Sequence, residues 1–237
     1  MKLGIIGAMT VEVESLKQQM ADLQIFERGG IVFCSGTLHD LPVVVAQCGV
    51  GKVNAAMCVQ IMCDCFAVTH IVNTGVAGSL NAKLDIGDFV ISKDAMYHDF
   101  DCHVLNPDYP VGQVPGIAVR AFPADTTLVQ LAYNAAREAG GEQAHIGTVA
   151  SGDQFVCNTD TKIAIVENTG ALCTEMEGAA IAHTAWRNGI PFVVIRAISD
   201  KADNSAEMDF PTFETMAAKR CAEVTQLLAK KLKENLS

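Results

Sequence analysis

The most apolar segment of the chain, residues 191–199, ends in a polar group of side chains. Arg196 and Ser199 lie within this predicted strand, and Asp200 follows it directly. Because an unpaired buried charge is costly, this ending indicates either a functional site or a turn in which the aspartate bonds its own backbone. In the functional alternative, burial raises the pKa of Asp200, and the residue is a candidate general acid.

Two glutamates supply further carboxylates beside predicted helices. Glu12 falls in the first turn of a helical pattern, where it either complements the helix dipole from solvent or faces a ligand at the mouth of a sheet. Glu177 follows Thr174 at the spacing of a capping box. It either caps its own helix or accepts hydrogen bonds from the hydroxyl groups of a sugar. The local pattern leaves both alternatives open at each glutamate.

Three other motifs have weaker chemical meanings. GIIGAM at 4–9 lies between a predicted strand and a helix, but it lacks the full G-x-G-x-x-G and the acidic partner of a dinucleotide site. NTGVAGS at 73–79 predicts either a turn or a place where backbone amides approach a ligand. HDFDCH at 98–103 has no spacing typical of zinc or EF-hand sites, so we expect hydrogen bonds there and no metal.

Strands and helices alternate along the chain, which predicts one α/β domain over residues 1–237 with a mainly parallel or mixed sheet. The predicted strands cover residues 2–7, 31–35, 41–48, 70–74, 88–95, 145–150, 154–157, 171–173 and 191–199. The predicted helices cover residues 10–22 (with Val13, Leu16 and Met20 inward), 53–65, 128–139 (stopped by Gly140 and Gly141), 179–187 and 211–235 (with Pro211 near its first position). Residues 100–123 are a predicted ordered loop. Ligands of such sheets bind beyond the carboxyl ends of the strands.

The composition excludes several classes of protein. Half of the 237 residues are apolar, and a net charge of −10 disfavours binding to nucleic acid or to an acidic membrane surface. No apolar run approaches the ~18 residues that span a bilayer. Nine cysteines, none of them in a CxxC pair, are typical of reduced thiols in a cytoplasmic protein.

Seven segments occur in one order and at matching spacing over nearly the full chain. Together they resemble the 5′-methylthioadenosine/S-adenosylhomocysteine nucleosidases of the purine nucleoside phosphorylase superfamily. The resemblance implies an α/β fold around a mixed, barrel-like sheet, a homodimer, and neither a metal nor an organic cofactor. The segments are GAM at 7–9 with Glu12, CGVGKVNAA at 48–56, NTG at 73–75, YHD at 97–99, SGDQF at 151–155, TEME at 174–177 and AISD at 197–200.

The resemblance also implies roles for individual residues. Asp200, held by Ser199, is the acid that protonates N7 of adenine. Glu12 positions and activates the attacking water, with Arg196 close by. The implied contacts to the nucleoside are Glu177 and the Met176 backbone at the ribose, Phe155 and the Val156 backbone at adenine, Met9, Val50 and Phe210 at the alkylthio group, and in addition Gly78 and Glu175.

The family's pocket also includes residues of the neighbouring subunit, which correspond here to Leu105 and Pro115. The chain departs from the family in two places. Val76 stands where family members often carry a serine, and the loop at 102–115 is slightly longer. The first departure bears on the surroundings of Glu12. The second bears on selectivity at the 5′ end of the substrate.

The implied reaction fits these residue types. An N-glycosidic bond breaks through an oxocarbenium-like sugar, and neutral adenine leaves only when a ring nitrogen is protonated. One carboxyl group must therefore be an acid, and another must accept the proton of the attacking water. Anionic surroundings also favour the cationic sugar. The resulting hypothesis is a cytoplasmic enzyme that hydrolyses 5′-thio-substituted adenosines to adenine and a thioribose.

Three alternatives stay open. A nucleoside phosphorylase of the same fold needs cations for its phosphate, whereas residues 7–14 include neither arginine nor lysine. A non-catalytic binding or storage protein on this scaffold would be free to lose its acids, which this chain retains. A hydrolase of a larger 5′-substituted adenosine, such as an aminodeoxyfutalosine, is open because the altered loop faces that end of the substrate.

Overall fold

Short apolar segments of the chain form one mixed β-sheet in the computed structural model, which describes residues 1–140 and 144–236. Within these residues the strands are β1 (Leu3–Gly7), β2 (Ala21–Arg28), β3 (Ile31–Leu38), β4 (Leu41–Gln47), β5 (His70–Ser79), β6 (Phe89–Tyr97), β7 (Phe122–Pro123), β8 (Ala144–Ser151), β9 (Cys173–Glu175) and β10 (Phe192–Asp200). The helices are α1 (Thr10–Gln18), α2 (Lys52–Phe66), α3 (Thr126–Gly140), α4 (Thr159–Thr169), α5 (Gly178–Arg187) and α6 (Ala206–Glu234).

Part of the sheet closes on itself. The order β10-β6-β8-β9-β5 becomes a ring because β10 also pairs with β5 in parallel, and β1, β4, β3 and β2 extend the sheet outward from β5. The pairs β10–β6 and β5–β9 are antiparallel, whereas β1 is parallel to both β4 and β5. The predicted α/β fold with a mixed, barrel-like sheet is confirmed.

Helices cover both faces of this sheet. α2 and α5 bury Met62 and Ile181 on one side, and α1 and α6 bury Leu16 and Leu228 on the other. Every residue of β10 is buried as a result, so its polar side chains must find partners inside the protein. Within the described residues, no helix is both long and apolar enough to cross a bilayer.

Three sequence-based assignments are wrong in the structure, and one helix was missed. The helix predicted over 10–22 ends at Gln18, which leaves Met20 outside it, because residues 21–28 pair with β3 as an exposed edge strand. Residues 154–157 form a loop instead of a strand, and α4 was not predicted. Pro211 lies inside α6, since the helix already begins at Ala206 after a turn held by Asp203.

The other predicted elements are present with shifted ends. The loop predicted over 100–123 ends in β7, which pairs with β6. β5 continues to Ser79, five residues past its predicted end, and thereby takes up most of the glycine-containing segment at 73–79. α3 includes Gly140, and the predicted stop at Gly141 lies outside the described residues.

Candidate active site

A cavity of about 260 Å³ opens at the ends of β1, β9 and β10. It brings together residues from distant parts of the sequence, because those strands meet in one sheet. Twelve of the sequence-predicted residues line it, and they are Met9, Glu12, Val50, Gly78, Phe155, Val156, Glu175, Met176, Glu177, Ser199, Asp200 and Phe210. Five further lining residues were not predicted as site residues, namely Ala8, Val76, Ala77, Gln154 and Thr174.

Glu12 is fixed in the cavity wall by backbone amides. Its Oε2 accepts hydrogen bonds from the amides of Ala8 at 2.7 Å and Met9 at 2.9 Å, and its Oε1 accepts one from the Val76 amide at 3.1 Å. The side chain is buried, so the alternative of a solvated acid at a helix end is wrong. Burial raises the pKa of Glu12 above its ordinary value, although the Arg196 charge and the three amides oppose the shift.

Gly75 allows this carboxylate to approach β5. A Cβ at Gly75 would lie 3.0 Å from Cδ of Glu12 and 3.3 Å from Nη1 of Arg196. Its contact with Oε1 of Glu12 would be closer still, in the range that real Cβ atoms essentially never show, so any larger residue would displace the carboxyl group. Gly75 therefore leaves room for the Glu12 side chain. The next amide along the chain, that of Val76, donates a hydrogen bond to the Glu12 carboxylate.

Asp200 combines both alternatives that the sequence left open. Its Oδ1 accepts a hydrogen bond from the Ala202 amide at 2.8 Å, as in a turn, and its Oδ2 accepts one from the Ser199 hydroxyl at 2.9 Å. The side chain nevertheless lines the cavity and is only 3% exposed. Burial raises the pKa of Asp200 despite these two bonds, and the charges of Asp209 and Asp203 add to the rise.

Arg196 is buried beside the cavity without lining it. Its Nη2 donates to the side chains of Asn73 and Glu175, and its Nη1 donates to the Ile195 carbonyl at 3.1 Å. The Glu175 carboxylate also accepts a hydrogen bond from the Ser151 hydroxyl. Burial alone would raise the pKa of Glu175, but the Arg196 charge and the Ser151 bond outweigh it and hold that pKa below its usual range.

Of the two alternatives for Glu177, the capping box is wrong, because a different glutamate caps α5. Glu175 accepts hydrogen bonds from the amides of Glu177 at 3.1 Å and Gly178 at 2.8 Å. With Arg196 and Ser151 as further donors, both Glu175 oxygens are engaged by the protein, which leaves that carboxylate little capacity to bind a substrate. Glu175 nevertheless lines the cavity, and its predicted substrate contact stays a prediction.

Glu177 instead reaches across to another segment. Its Oε1 accepts a hydrogen bond from the Gly51 amide at 2.8 Å. Burial and the neighbouring negative charge of Glu175 raise the pKa of Glu177 to about 8. At neutral pH this cavity therefore contains one firmly ionised carboxylate, that of Glu175, and three whose pKa values are raised.

The chain matches the phosphorylase superfamily model over residues 2–230. It is 40% identical to the 5′-methylthioadenosine/S-adenosylhomocysteine nucleosidases of Oceanobacillus iheyensis and Shewanella frigidimarina, with 98% of this chain and 100% of each relative covered. The chain belongs to this nucleosidase family. The solved nucleosidase of Neisseria meningitidis, in complex with methylthio-immucillin-A, superposes with a TM-score of 0.93 at 35% identity over 97% of this chain and 99% of that one.

A second solved neighbour of this family member has a different name. It is the futalosine hydrolase of Helicobacter pylori, with a TM-score of 0.91 at 33% identity over 97% of both chains. Solved structures of this fold are therefore named for two hydrolase activities.

Aromatic and apolar side chains form the outer part of the cavity in this nucleosidase family member. The rings of Phe155 and Phe210 meet edge to face, with centroids 5.3 Å apart. Phe155 and Val50 are each about half exposed, so the cavity is open to solvent on this side. Val156 is buried directly behind Phe155.

Two predicted residues do not reach the cavity of the single chain. Leu105 is 82% exposed and Pro115 is also exposed, and neither lines the cavity. Near the start of the same loop, the Asp99 carboxylate accepts hydrogen bonds from Nζ of Lys52 at 2.6 Å and from the Asp153 amide at 2.9 Å. Over residues 1–140 and 144–236, no group of three or more acidic, histidine or cysteine side chains is arranged to hold a metal ion.

Proposed function

We propose that this protein hydrolyses the N-glycosidic bond of 5′-methylthioadenosine and S-adenosylhomocysteine, and that it releases adenine and the 5-thio-substituted ribose. The observation that carries this proposal is the pair of buried carboxyl groups, Glu12 and Asp200, on the wall of one cavity. The two groups have different hydrogen-bond partners and suit different roles. The names of the relatives support the same substrates.

Asp200 acts as the general acid. Because its pKa is raised, the side chain retains a proton closer to neutral pH than an ordinary aspartate does. It donates this proton to N7 of adenine while the C1′–N9 bond breaks, and the bonding electron pair leaves with the base. The Ser199 hydroxyl, 2.9 Å from Oδ2, fixes the orientation of the carboxyl group.

Glu12 acts as the general base. The amides of Ala8, Met9 and Val76 hold its carboxylate in one orientation, so no side-chain rearrangement is needed when a water molecule attacks C1′. The carboxylate accepts the proton of that water. Its raised pKa makes it a stronger base than an exposed glutamate, and its negative charge stabilises the cationic sugar.

The remaining residues of the cavity bind the nucleoside. Glu177 and the Met176 backbone hold the ribose hydroxyl groups, and Phe155 stacks on adenine while the Val156 backbone bonds the edge of the base. The alkylthio group lies among Met9, Val50 and Phe210, and Gly78 lies beside the base. Glu175 and Arg196 are positioning residues, because they hold each other and the first turn of α5.

The charges of the cavity argue against phosphorolysis. Among the described residues that line it, none is a lysine or an arginine, whereas Glu12, Glu175, Glu177 and Asp200 are acidic. A phosphate ion would find no free lysine or arginine here, because the nearby Arg196 is already paired with Glu175, and the ionised carboxylates among these groups would repel it. Water, which is neutral, has no such barrier.

A panel of nucleosides tests the substrate class. The purified protein is incubated with 5′-methylthioadenosine, S-adenosylhomocysteine, adenosine, inosine and an aminodeoxyfutalosine, and the free base is separated by chromatography. We expect rapid release of adenine from the two thio-substituted nucleosides and slow release from adenosine. Faster cleavage of the futalosine-type nucleoside would instead favour the activity named for the Helicobacter pylori neighbour.

We further propose that the active unit is a homodimer in which Leu105 and Pro115 of one subunit complete the cavity of the other. Val53 and Val104 are 78% and 95% exposed, and Leu105 lies beside Val104. The Lys52–Asp99 ion pair holds the start of this loop against the N-terminus of α2, two residues after the cavity residue Val50. An apolar surface of this kind is typical of protein interfaces.

The loop provides the test of the dimer. Deletion of residues 106–110 is expected to weaken binding of the 5′ substituent while free adenine still binds, and Leu105→Asp is expected to shift the sedimenting species towards the monomer. Ile25→Asp is the matched control, because Ile25 is 67% exposed on the edge strand β2. A wild-type monomer with full activity at low concentration would refute the dimer.

We propose the cytoplasm as the compartment. All nine cysteines, which lie within the described residues, are free thiols, and five of them are buried. Free thiols persist where the compartment is reducing. The net charge of −10 also speaks against a nucleic-acid partner.

A further inference from the structure

The hydroxyl group of Thr174 lacks a partner within the described part of the chain. Thr174 lies on β9, is 5% exposed and lines the cavity, yet its Oγ1 makes no hydrogen bond there. Buried polar groups are almost always paired, because an unpaired one costs free energy. Such a hydroxyl group on a cavity wall indicates that a bound ligand supplies the partner.

The register of the sheet shows on which face the Thr174 side chain lies. Thr174 pairs with Gly78 of β5, and Gly78 pairs with Asp200 of β10. Directly paired residues on adjacent strands direct their side chains to the same face of a sheet. Asp200 and Thr174 therefore face the cavity from the two ends of one row, with Gly78 between them.

Gly78 places no side chain between Asp200 and Thr174. A Cβ there would lie 2.7 Å from Oδ1 of Asp200 and 2.8 Å from Cβ of Ala202, so no side chain fits. Neighbouring strands are about 4.8 Å apart, which puts the backbones of Asp200 and Thr174 roughly 10 Å apart. A planar ring system lying over Gly78 would meet a carboxyl group at one edge and a hydroxyl group at the other.

We propose that Thr174 is a specificity-determining residue whose hydroxyl group donates a hydrogen bond to N3 of the adenine base. The inference rests on the proposed function, in which Asp200 protonates N7 and the Val156 backbone bonds the edge of the six-membered ring. N3 is the remaining ring acceptor, and it lies on the edge of a purine opposite N7. The hydrogen bond satisfies both the buried hydroxyl group and the buried ring nitrogen.

Binding of free bases tests the proposal without turnover. Calorimetry measures the affinity of the wild type for adenine and for 3-deazaadenine, in which a C–H group replaces N3. We expect a preference for adenine of about tenfold, since a buried donor left without its acceptor typically costs about that much. In Thr174→Val the preference should disappear through weaker adenine binding, while Thr174→Ser should retain it.

Thr148→Val is the matched control, because Thr148 is also buried, lies on the neighbouring strand β8 and does not line the cavity. Its preference for adenine should equal that of the wild type. Equal wild-type affinity for the two bases would overturn the proposal, as would Thr174→Val weakening both bases equally. A wild type that binds adenine selectively but leaves 5′-methylthioadenosine intact would instead refute the proposed function alone.

Discussion

Replacement of Glu177 by glutamine is expected to change how the stability of the protein depends on pH. The amide keeps the shape of the side chain and an oxygen that can accept the bond from the Gly51 amide, but it does not ionise. Burial and the charge of Glu175 raise the pKa of Glu177 from an ordinary 4.5 to about 8. Between pH 4.5 and about pH 8 the folded wild type therefore binds a proton at Glu177 that the unfolded chain has released.

The sign and size of the effect follow from proton linkage. A carboxyl group whose pKa is raised by folding contributes stability below its unfolded pKa, and that contribution is lost as the pH rises towards 8. Each pH unit within the window corresponds to about 1.4 kcal/mol. The free energy of unfolding of Glu177→Gln, minus that of the wild type, should therefore rise by up to about 3 kcal/mol between pH 5.5 and pH 7.5.

Urea denaturation at pH 5.5, 6.5 and 7.5 measures this difference. The exposed residue Glu14 offers a control, because Glu14→Gln removes the same charge from the surface of α1. We expect the difference to grow with pH only for Glu177→Gln. Two curves that run parallel across the window would show that Glu177 is already ionised in the folded protein, and the reasoning about the cavity charges would then be wrong.

Two further predictions concern the reacting groups. Asp200→Asn should lose about 10²- to 10⁴-fold in kcat on 5′-methylthioadenosine but should cleave a nitrophenyl riboside, whose leaving group needs no ring protonation, nearly as well as the wild type. Glu12→Gln should lose a similar factor on both substrates, and equal losses by both variants on the nitrophenyl riboside would contradict the acid role. Gly75→Ala should displace the Glu12 carboxylate and lower kcat at least about 100-fold while adenine still binds, and unchanged steady-state rates would contradict this geometry.

The strands of the barrel are predictable from the sequence because they are buried. β10 begins with the continuous apolar run at 192–195 and has both faces covered, and such a run indicates a central strand. β2 gives no such signal, since all eight of its residues are exposed and only its pairing with β3 makes it a strand. Tertiary pairing thus overrides the local helical pattern that continues past Gln18.

Some residues of the site are easier to predict from the sequence than others. Asp200 ends β10 and Glu12 lies in the first turn of the helix that follows β1, and these positions alone suggest a site. Glu175 and Glu177 are two residues apart, and no local pattern tells which of them caps α5, because the choice depends on the distant partners Arg196 and Gly51. Thr174 has no sequence signal of its own, since only its burial without a partner distinguishes it.

The dependence of the reaction on phosphate tests the central claim most directly. The protein is dialysed against a chelator and incubated with 5′-methylthioadenosine, with and without added phosphate, and the sugar product is identified by mass spectrometry. Hydrolysis by a cavity lined with four acidic side chains predicts equal rates and free 5-methylthioribose under both conditions. A rate that requires phosphate, with a sugar 1-phosphate as the product, would contradict it.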